Sequence, residues 1–183
     1  MQTQNSLVLN LFGGPGVGKT SIMAEVFAKL KWADVNCEMA PEFAKEKVWE
    51  GSLEILGNQV YVFGKQHHTI MRLLGKVDVI VTDSPLLLSI IYGRTEGEAF
   101  RNLVIEKNEQ LNRMNFFLMR QKQYNPSGRL QTEDQARMKD IEIKDMLNKI
   151  GESYLLLPGC PESSERIFRM VMDRLHRDEI GTT

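Results

Sequence analysis

The segment that most constrains the fold of this chain is a glycine-rich stretch directly after its first apolar run. Residues 7–12 are apolar and of strand length, and residues 13–20 then read GGPGVGKT. The pattern GxxxxGK followed by Ser or Thr, placed between a strand and a helix, builds a loop whose backbone N–H groups surround a phosphate. A helical stripe does follow, at Met23, Val26, Phe27 and Leu30. The sequence therefore predicts a phosphate-binding loop (P-loop) at residues 13–20.

The residue types in the P-loop suit ATP and magnesium. We expect the glycines at 13, 14, 16 and 18 to adopt backbone angles closed to other residues, so that N–H groups curl round the β-phosphate. Lys19 is predicted to bridge the β- and γ-phosphates, and Thr20 to give a hydroxyl to Mg²⁺. A turn that merely joins strand to helix is the weaker alternative. The predicted nucleotide-binding set is Gly13, Gly14, Pro15, Gly16, Val17, Gly18, Lys19, Thr20, Ser21, Arg120 and Pro158.

Apolar runs alternate with helix-period segments along the whole chain. Such alternation predicts an α/β fold, with a parallel sheet between two layers of helices in a three-layer α/β/α sandwich. We expect a five-stranded sheet in the order 2-3-1-4-5. The predicted strands are residues 7–12, 35–40, 77–82, 116–119 and 154–157.

The composition indicates one compact domain of 183 residues, with 42% hydrophobic and 26% charged positions. A net charge of −1 argues against coating duplex DNA by charge alone, although nucleic acid stays open as a partner. The N-terminus lacks the pattern of a signal peptide and no apolar run could cross a membrane, so we expect a cytoplasmic protein. Cys37 and Cys160 lack the spacing of a zinc site, and we expect buried free thiols.

A carboxylate near the P-loop is needed to hold Mg²⁺. Asp83 ends the buried run at residues 79–82, and carboxyl ends of parallel strands converge on the ligand crevice. Thr20 and Asp83 are therefore the predicted metal ligands. The alternative is that Asp83 or Ser84 caps a helix that begins at Pro85.

A second carboxylate, Glu42, lies just past the predicted second strand. It is placed to accept a proton from an attacking hydroxyl, but a first-turn helix glutamate favoured by the helix dipole fits the spacing equally well. Glu38 is a weaker candidate because it lies inside the strand. Gln66 offers an amide for reading a base, yet the predicted helix at residues 59–74 puts it beside the apolar stripe of Val60, Phe63, His67, Ile70, Met71 and Leu74. His67 is more simply a core histidine.

Basic residues surround a turn-rich loop after the fourth strand. Arg120, Lys122, Arg129 and Arg137 lie there, and guanidinium groups on a lid can stabilise a transferring phosphoryl group. Arg129 is the best candidate for that role. The alternative is a solvated surface in which Glu133, Asp134 and Asp140 pair with Arg137 and Lys139.

These residues together resemble the nucleoside-kinase-like branch of P-loop proteins, especially the nicotinamide riboside kinase domain and related phage ATPases. The resemblance rests on GGPGVGKT, on Glu42-Phe43-Ala44-Lys45, on Gln66, on Val81-Thr82-Asp83-Ser84 and on Gly128-Arg129. It covers most of residues 7–159 and implies a single kinase-like domain over residues 1–183, with a lid at about residues 120–137.

The resemblance implies a kinase that transfers the γ-phosphate of ATP, with Mg²⁺, to a nucleoside- or nucleotide-type acceptor. Lys19, Glu42, Asp83 and Arg129 would be catalytic, and Glu42, Lys45 and Gln66 would bind the acceptor. Residues 158–160 would line the adenine pocket. Lys45 stands where the family often has arginine, and Asp83-Ser84-Pro85 departs from the Asp-Arg-Ser of deoxynucleoside kinases.

Other functions stay open. The acceptor could be a 5-hydroxymethyl pyrimidine in DNA, as for phage kinases of thymine hypermodification in a host cytoplasm, reached by flipping the nucleotide out. An ATP-binding or ATPase module without transfer is the main non-kinase alternative. The guanine-reading Asn-Lys-x-Asp of signalling GTPases is missing from residues 148–151, and the residues after 157 supply about one helix, less than the lid domain of a mechanical ATPase. The oligomeric state is not predicted.

Overall fold

The computed structural model describes residues 6–121 and 132–180, with side chains through residue 178. A five-stranded, all-parallel sheet runs through them in the order β2-β3-β1-β4-β5, so the predicted fold class and strand order are confirmed. The strands are β1 (Leu7–Phe12), β2 (Cys37–Met39), β3 (Val79–Thr82), β4 (Arg113–Met119) and β5 (Leu155–Pro158).

Helices connect these strands and cover both faces of the sheet. Short 3-10 turns at Leu53–Gly57 and Arg94–Glu96 complete the described elements. In the part of the chain that the structure describes, no helix is long and apolar enough to cross a membrane. The helices are α1 (Lys19–Trp32), α2 (Phe43–Trp49), α3 (Gln59–Met71), α4 (Leu88–Tyr92), α5 (Gly97–Glu109), α6 (Glu133–Lys149) and α7 (Glu162–Ile180).

The central strand β1 explains why its sequence is almost entirely apolar. All of its residues are buried, and alternate side chains enter two separate cores on the two faces of the sheet. Val8 and Phe12 belong to one core, while Leu9 and its neighbours of the same parity belong to the other. Asn10 is the polar exception, and its amide donates a buried hydrogen bond of 2.8 Å to Asn115 on β4.

Several predicted boundaries were wrong by a few residues. The second and third strands are shorter than predicted. Strand β4 begins earlier than predicted, at Arg113, because its first residue has a polar partner. The Arg113 guanidinium pairs with Glu152 at 2.7 Å, which allows a charged residue to enter the sheet. The predicted helix at residues 59–74 ends at Met71.

The inward face of α3 also differs from the predicted stripe. Its buried residues are Phe63, Gln66 and Ile70, whereas Val60 and Met71 are 50% and 39% exposed. The stripe was shifted because α2 packs beside α3 and provides a polar partner for Gln66, a contact that hydrophobic periodicity cannot show.

Candidate functional site

The P-loop leaves the carboxyl end of β1 and leads into α1. Gly13, Gly16 and Gly18 have φ angles of 137°, 79° and 107°, which side-chain-bearing residues rarely adopt. Gly14 does not, so the prediction that its backbone angles require glycine was wrong. Gly14 is needed for space instead, because a Cβ there would lie 2.6 Å from the Ala136 carbonyl oxygen.

Lys19 lies folded back over the loop. Its Nζ donates to the carbonyl oxygens of Gly13 and Gly14 at 2.7 and 3.0 Å. Burial lowers the pKa of Lys19, while the nearby carboxylates of Glu42, Asp83 and Asp140 act in the opposite direction. The lysine is thus held by backbone carbonyls at the place where phosphate oxygens would offer stronger partners.

Asp83 lies at the end of β3 and faces the start of α1. It is buried, and its Oδ2 accepts a hydrogen bond of 2.6 Å from the Thr20 hydroxyl. Its Oδ1 accepts from the backbone N–H of Glu42 at 3.1 Å. The helix-cap alternative does not describe this geometry, because α4 begins at Leu88 and has no side-chain cap.

The pair of Thr20 and Asp83 suits magnesium that is held mainly by phosphate oxygens and water. A hydroxyl and a carboxylate oxygen in contact are hard oxygen donors, the type that Mg²⁺ selects. Among the described residues there is no group of three or more His, Cys, Asp or Glu side chains that could bind a metal. The hydroxyl of Thr20 and the carboxylate of Asp83 therefore fit magnesium by the type of their donor atoms.

Glu42 lies close to Lys19 and Asp83. It occupies the N-cap position of α2, but its side chain makes no capping hydrogen bond. Burial raises the pKa of the Glu42 carboxyl, Asp83 adds to that rise, and Lys19 and Lys45 oppose it. Glu38, the competing carboxylate, is exposed and pairs with Lys31 at 3.5 Å. The structure thus brings Glu42, and not Glu38, to the P-loop edge.

Gln66 was predicted to lie beside the buried stripe, yet it is only 4% exposed. Its Oε1 accepts a hydrogen bond of 3.1 Å from the backbone N–H of Phe43, the residue after Glu42. Its Nε2 is buried and has no hydrogen-bond partner among the described residues. His67 stacks on Phe63 with ring centroids 5.7 Å apart, as expected of a core histidine.

The Arg120 side chain is buried against the P-loop. It bonds Asp140 of α6 and the carbonyl oxygen of Pro15. The alternative in which Asp140 is a surface ion-pair partner does not describe this geometry, because Asp140 also accepts from the Gly14 N–H. Arg137 does pair with Glu133 on the exposed face of α6.

Residues 122–131 of the predicted lid lie outside the described residues, and so do the predicted lid residues Lys122 and Arg129.

Tyr92, at the end of α4, is a residue that sequence reasoning missed, as it missed the contact of Asp140 with the P-loop. Lys139 of α6 lies over its ring, with Nζ 5.5 Å from the centroid. Burial raises the pKa of Tyr92 to about 12, and the carboxylates of Glu42, Glu142 and Asp140 add to the rise. A lone tyrosine in an apolar segment gave no sequence signal.

The loop after β5 packs against the P-loop. The Gly159 N–H donates to Met119 at 2.7 Å, and a side chain at Gly159 would overlap the carbonyl of Val17. Gly159 therefore lies against the P-loop, and the adenine pocket expected at residues 158–160 stays a prediction. Cys160 there is free and half-buried, while Cys37 in β2 is free and buried as predicted.

The chain matches a known family along most of its length. The family model described as "AAA domain" matches residues 8–166. No curated protein is similar enough in sequence to count as a relative.

Solved structures contain the same fold. The crystal structure of NadR protein in complex with NR is similar to this chain with a TM-score of 0.65 and 13% sequence identity. The match covers 84% of this chain and 45% of that chain, so this chain spans less than half the length of that protein. At this identity the likeness shows the fold alone.

Proposed function

Since the chain belongs to this family of AAA domains, whose fold holds a P-loop, we propose that it is an ATP-dependent kinase acting on a nucleoside- or nucleotide-type hydroxyl. The observation that carries the proposal is the position of Glu42. A carboxylate with a raised pKa lies beside the P-loop lysine and the Asp83–Thr20 pair, where ATP binding alone has no use for a proton acceptor.

The donor half of the reaction uses the P-loop. Backbone N–H groups of the loop and the start of α1 would hold the β-phosphate, and Lys19 would turn from the Gly13 and Gly14 carbonyls to the phosphate oxygens. Thr20 and Asp83 would hold Mg²⁺, which offsets negative charge on the transferring phosphoryl group. These residues orient the γ-phosphate for attack.

The acceptor half uses Glu42. The acceptor hydroxyl would give its proton to the Glu42 carboxylate while its oxygen forms a bond to the γ-phosphorus and the bond from that phosphorus to the β–γ bridging oxygen breaks. The products are the phosphorylated acceptor and ADP, and the proton rests on Glu42 until solvent removes it. The raised pKa of Glu42 makes it a stronger base than an exposed glutamate.

Two observations favour an acceptor that carries a base or carboxamide. The Nε2 of Gln66 is buried without a hydrogen-bond partner among the described residues, while its Oε1 binds the backbone N–H of Phe43 beside Glu42. A base or carboxamide that reached this amide would satisfy its free donor. NadR, the protein of similar fold, was crystallised in complex with NR. Lys45 is exposed on the first turn of α2 and would meet a charged part of the acceptor.

The second candidate is an ATP-binding or ATPase module, which the match to an AAA domain favours. In that function water, and not an acceptor hydroxyl, attacks the γ-phosphorus. The two functions differ in whether an acceptor raises the rate of ADP release.

The test is to measure ADP release with Mg-ATP and a panel of acceptors. The panel holds nicotinamide riboside, thymidine, a nucleoside monophosphate and DNA that carries 5-hydroxymethyl pyrimidine. A kinase gives ADP at a rate that depends on one of these acceptors. Tight ATP binding with a rate that no acceptor changes would favour the ATPase module and refute the kinase.

A further inference from the structure

Asp140 of α6 joins two parts of the P-loop region that are far apart in sequence. Its Oδ1 accepts a hydrogen bond of 2.6 Å from the Gly14 N–H, and its Oδ2 accepts one of 3.0 Å from Arg120 Nε. The Arg120 Nη2 lies 2.9 Å from the same oxygen and donates to the Pro15 carbonyl at 2.9 Å. The Arg120–Asp140 ion pair thus binds two backbone groups at the start of the P-loop, the Gly14 N–H and the Pro15 carbonyl oxygen.

Burial makes this pair consequential. The Arg120 side chain is 6% exposed and that of Asp140 is 19% exposed, so each charge depends on the other. Glycine at position 14 is what lets α6 approach, because a Cβ there would lie 2.6 Å from Asp140 Oδ1. The charge of Asp140 also reaches Lys19, whose pKa it helps to raise against burial.

The arrangement is not what stability alone would select. Arg120 Nη1 is buried and lacks a hydrogen-bond partner among the described residues. A buried donor without a partner costs free energy, and so does a carboxylate close to a loop that must receive phosphates. Both costs are understandable if the pair fixes the loop geometry and the guanidinium neutralises the carboxylate.

We infer that Arg120 and Asp140 form a charge-compensated clamp on Gly14 and Pro15, and that Asp140 is a positioning residue which shapes the P-loop for the triphosphate. The inference rests on the ATP site of the proposed function, but it does not depend on the acceptor. Asp140 acts through the Gly14 backbone and does not itself touch phosphate.

The test measures Mg-ATP binding by titration calorimetry in four proteins: wild type, Arg120→Met, Arg120→Met/Asp140→Asn and Asp145→Asn. Arg120→Met leaves the Asp140 carboxylate unbalanced beside the P-loop, so binding weakens by about 30-fold or more. In the double variant the asparagine still accepts from Gly14 but carries no charge, so binding returns to within about tenfold of wild type. Asp145→Asn, which repeats the charge change of Asp140→Asn at an exposed position of α6, leaves binding unchanged.

A double variant that binds as weakly as Arg120→Met, or more weakly, overturns the clamp while leaving the proposed function intact. Failure of wild type to bind Mg-ATP refutes both. Unfolding temperatures without nucleotide, measured in parallel, show whether a loss of binding follows a loss of folded protein.

Native-state hydrogen exchange provides a second measurement in case Arg120→Met does not fold. Without nucleotide, the Gly14 amide is expected to be protected in wild type and in Asp140→Asn, and to lose protection in Asp140→Ala. A Gly14 amide that exchanges freely in wild type contradicts the clamp.

Discussion

Three charged side chains share a small volume beside the P-loop. Burial lowers the pKa of Lys19 and raises the pKa of Glu42, so both environments disfavour the charged form. Each group also stabilises the other by opposite charge, and Asp83 lies close to both. Binding of phosphate and magnesium would change the electrostatic environment of both Lys19 and Glu42. Buried charged groups with shifted pKa values are expected at a reacting site, whereas in a purely structural role they cost stability.

The first prediction concerns Glu42→Gln. Since glutamine keeps the shape but cannot take a proton, phosphate transfer should fall by about 10²–10⁴-fold while the affinity for Mg-ATP stays near wild type. Single-turnover rates and calorimetry measure the two quantities. Glu38→Gln is the matched control, because Glu38 is exposed and faces Lys31. An equal loss of ATP affinity and rate in Glu42→Gln would contradict the assignment of Glu42 as base.

The second prediction concerns pH. Because the folded state raises the pKa of Glu42, the folded protein binds more protons than the unfolded chain between the ordinary glutamate pKa and the raised one. Wild type should therefore lose stability relative to Glu42→Gln as the pH rises through that window, and the transfer rate should rise as the base ionises. Thermal unfolding and rates at a series of pH values measure this. A stability gap that does not change with pH would contradict it.

The third prediction concerns Lys19→Met, which removes the ammonium from the P-loop. Mg-ATP at 100 times its Kd stabilises wild type by about 2.7 kcal/mol, which corresponds to roughly 5–10 °C in Tm. The variant should lose most of this shift at the same ATP concentration and about 10²–10³-fold in transfer rate. Thermal unfolding with and without Mg-ATP is the measurement. An undiminished shift would contradict the role of Lys19 in holding phosphate.

At the scale of residues, site residues that lie within one segment could be predicted from the sequence. Residues that reach the site only through the packing of distant helices could not. The P-loop is one segment with a defining order of residues, and Asp83 follows a run of strand residues, so both could be located from the sequence. Asp140 and Tyr92 come near the site only because α6 and α4 pack there. Gln66 was predicted to lie beside the buried stripe and is itself buried, because its partner is a backbone N–H that periodicity does not show.

At the scale of elements, helix α6 approaches the P-loop closely at Gly14. A fourth prediction follows from it: Gly14→Ala should cost about 1–3 kcal/mol of folding free energy, because the new Cβ meets the Ala136 carbonyl and Asp140. Denaturant unfolding measures this cost, and Mg-ATP affinity should fall as α6 is displaced. Gly64→Ala in α3, which meets no atom within 4 Å, is the control and should be neutral or stabilising. Equal stability of the two variants would contradict the close packing.

The pattern of elements was predictable in type and only approximately in extent. Alternating strands and helices predicted the parallel sheet because the central strands β1 and β3 are buried on both faces and read as apolar runs. Boundaries shifted where side-chain partners supported polar residues, as Glu152 does for Arg113 in β4. Helix α2, which has no buried residue, offers no hydrophobic stripe to predict.

At the scale of the whole molecule, the fold collects the candidate residues at one edge. The carboxyl ends of β1 and β3 carry the P-loop and Asp83, and the chain after β2 carries Glu42. Because parallel strands end on the same side, residues about 20–60 positions apart in sequence meet there. The match over residues 8–166 covers this whole edge, whereas a fold alone does not determine which substrate binds there.

The most direct test of the kinase proposal is to follow the γ-phosphate of labelled Mg-ATP in a single turnover with each acceptor. The proposal predicts that label appears on the acceptor hydroxyl, faster than it appears as inorganic phosphate, and that Glu42→Gln abolishes only the label on the acceptor. Label found solely as inorganic phosphate, at a rate that no acceptor changes, would contradict it.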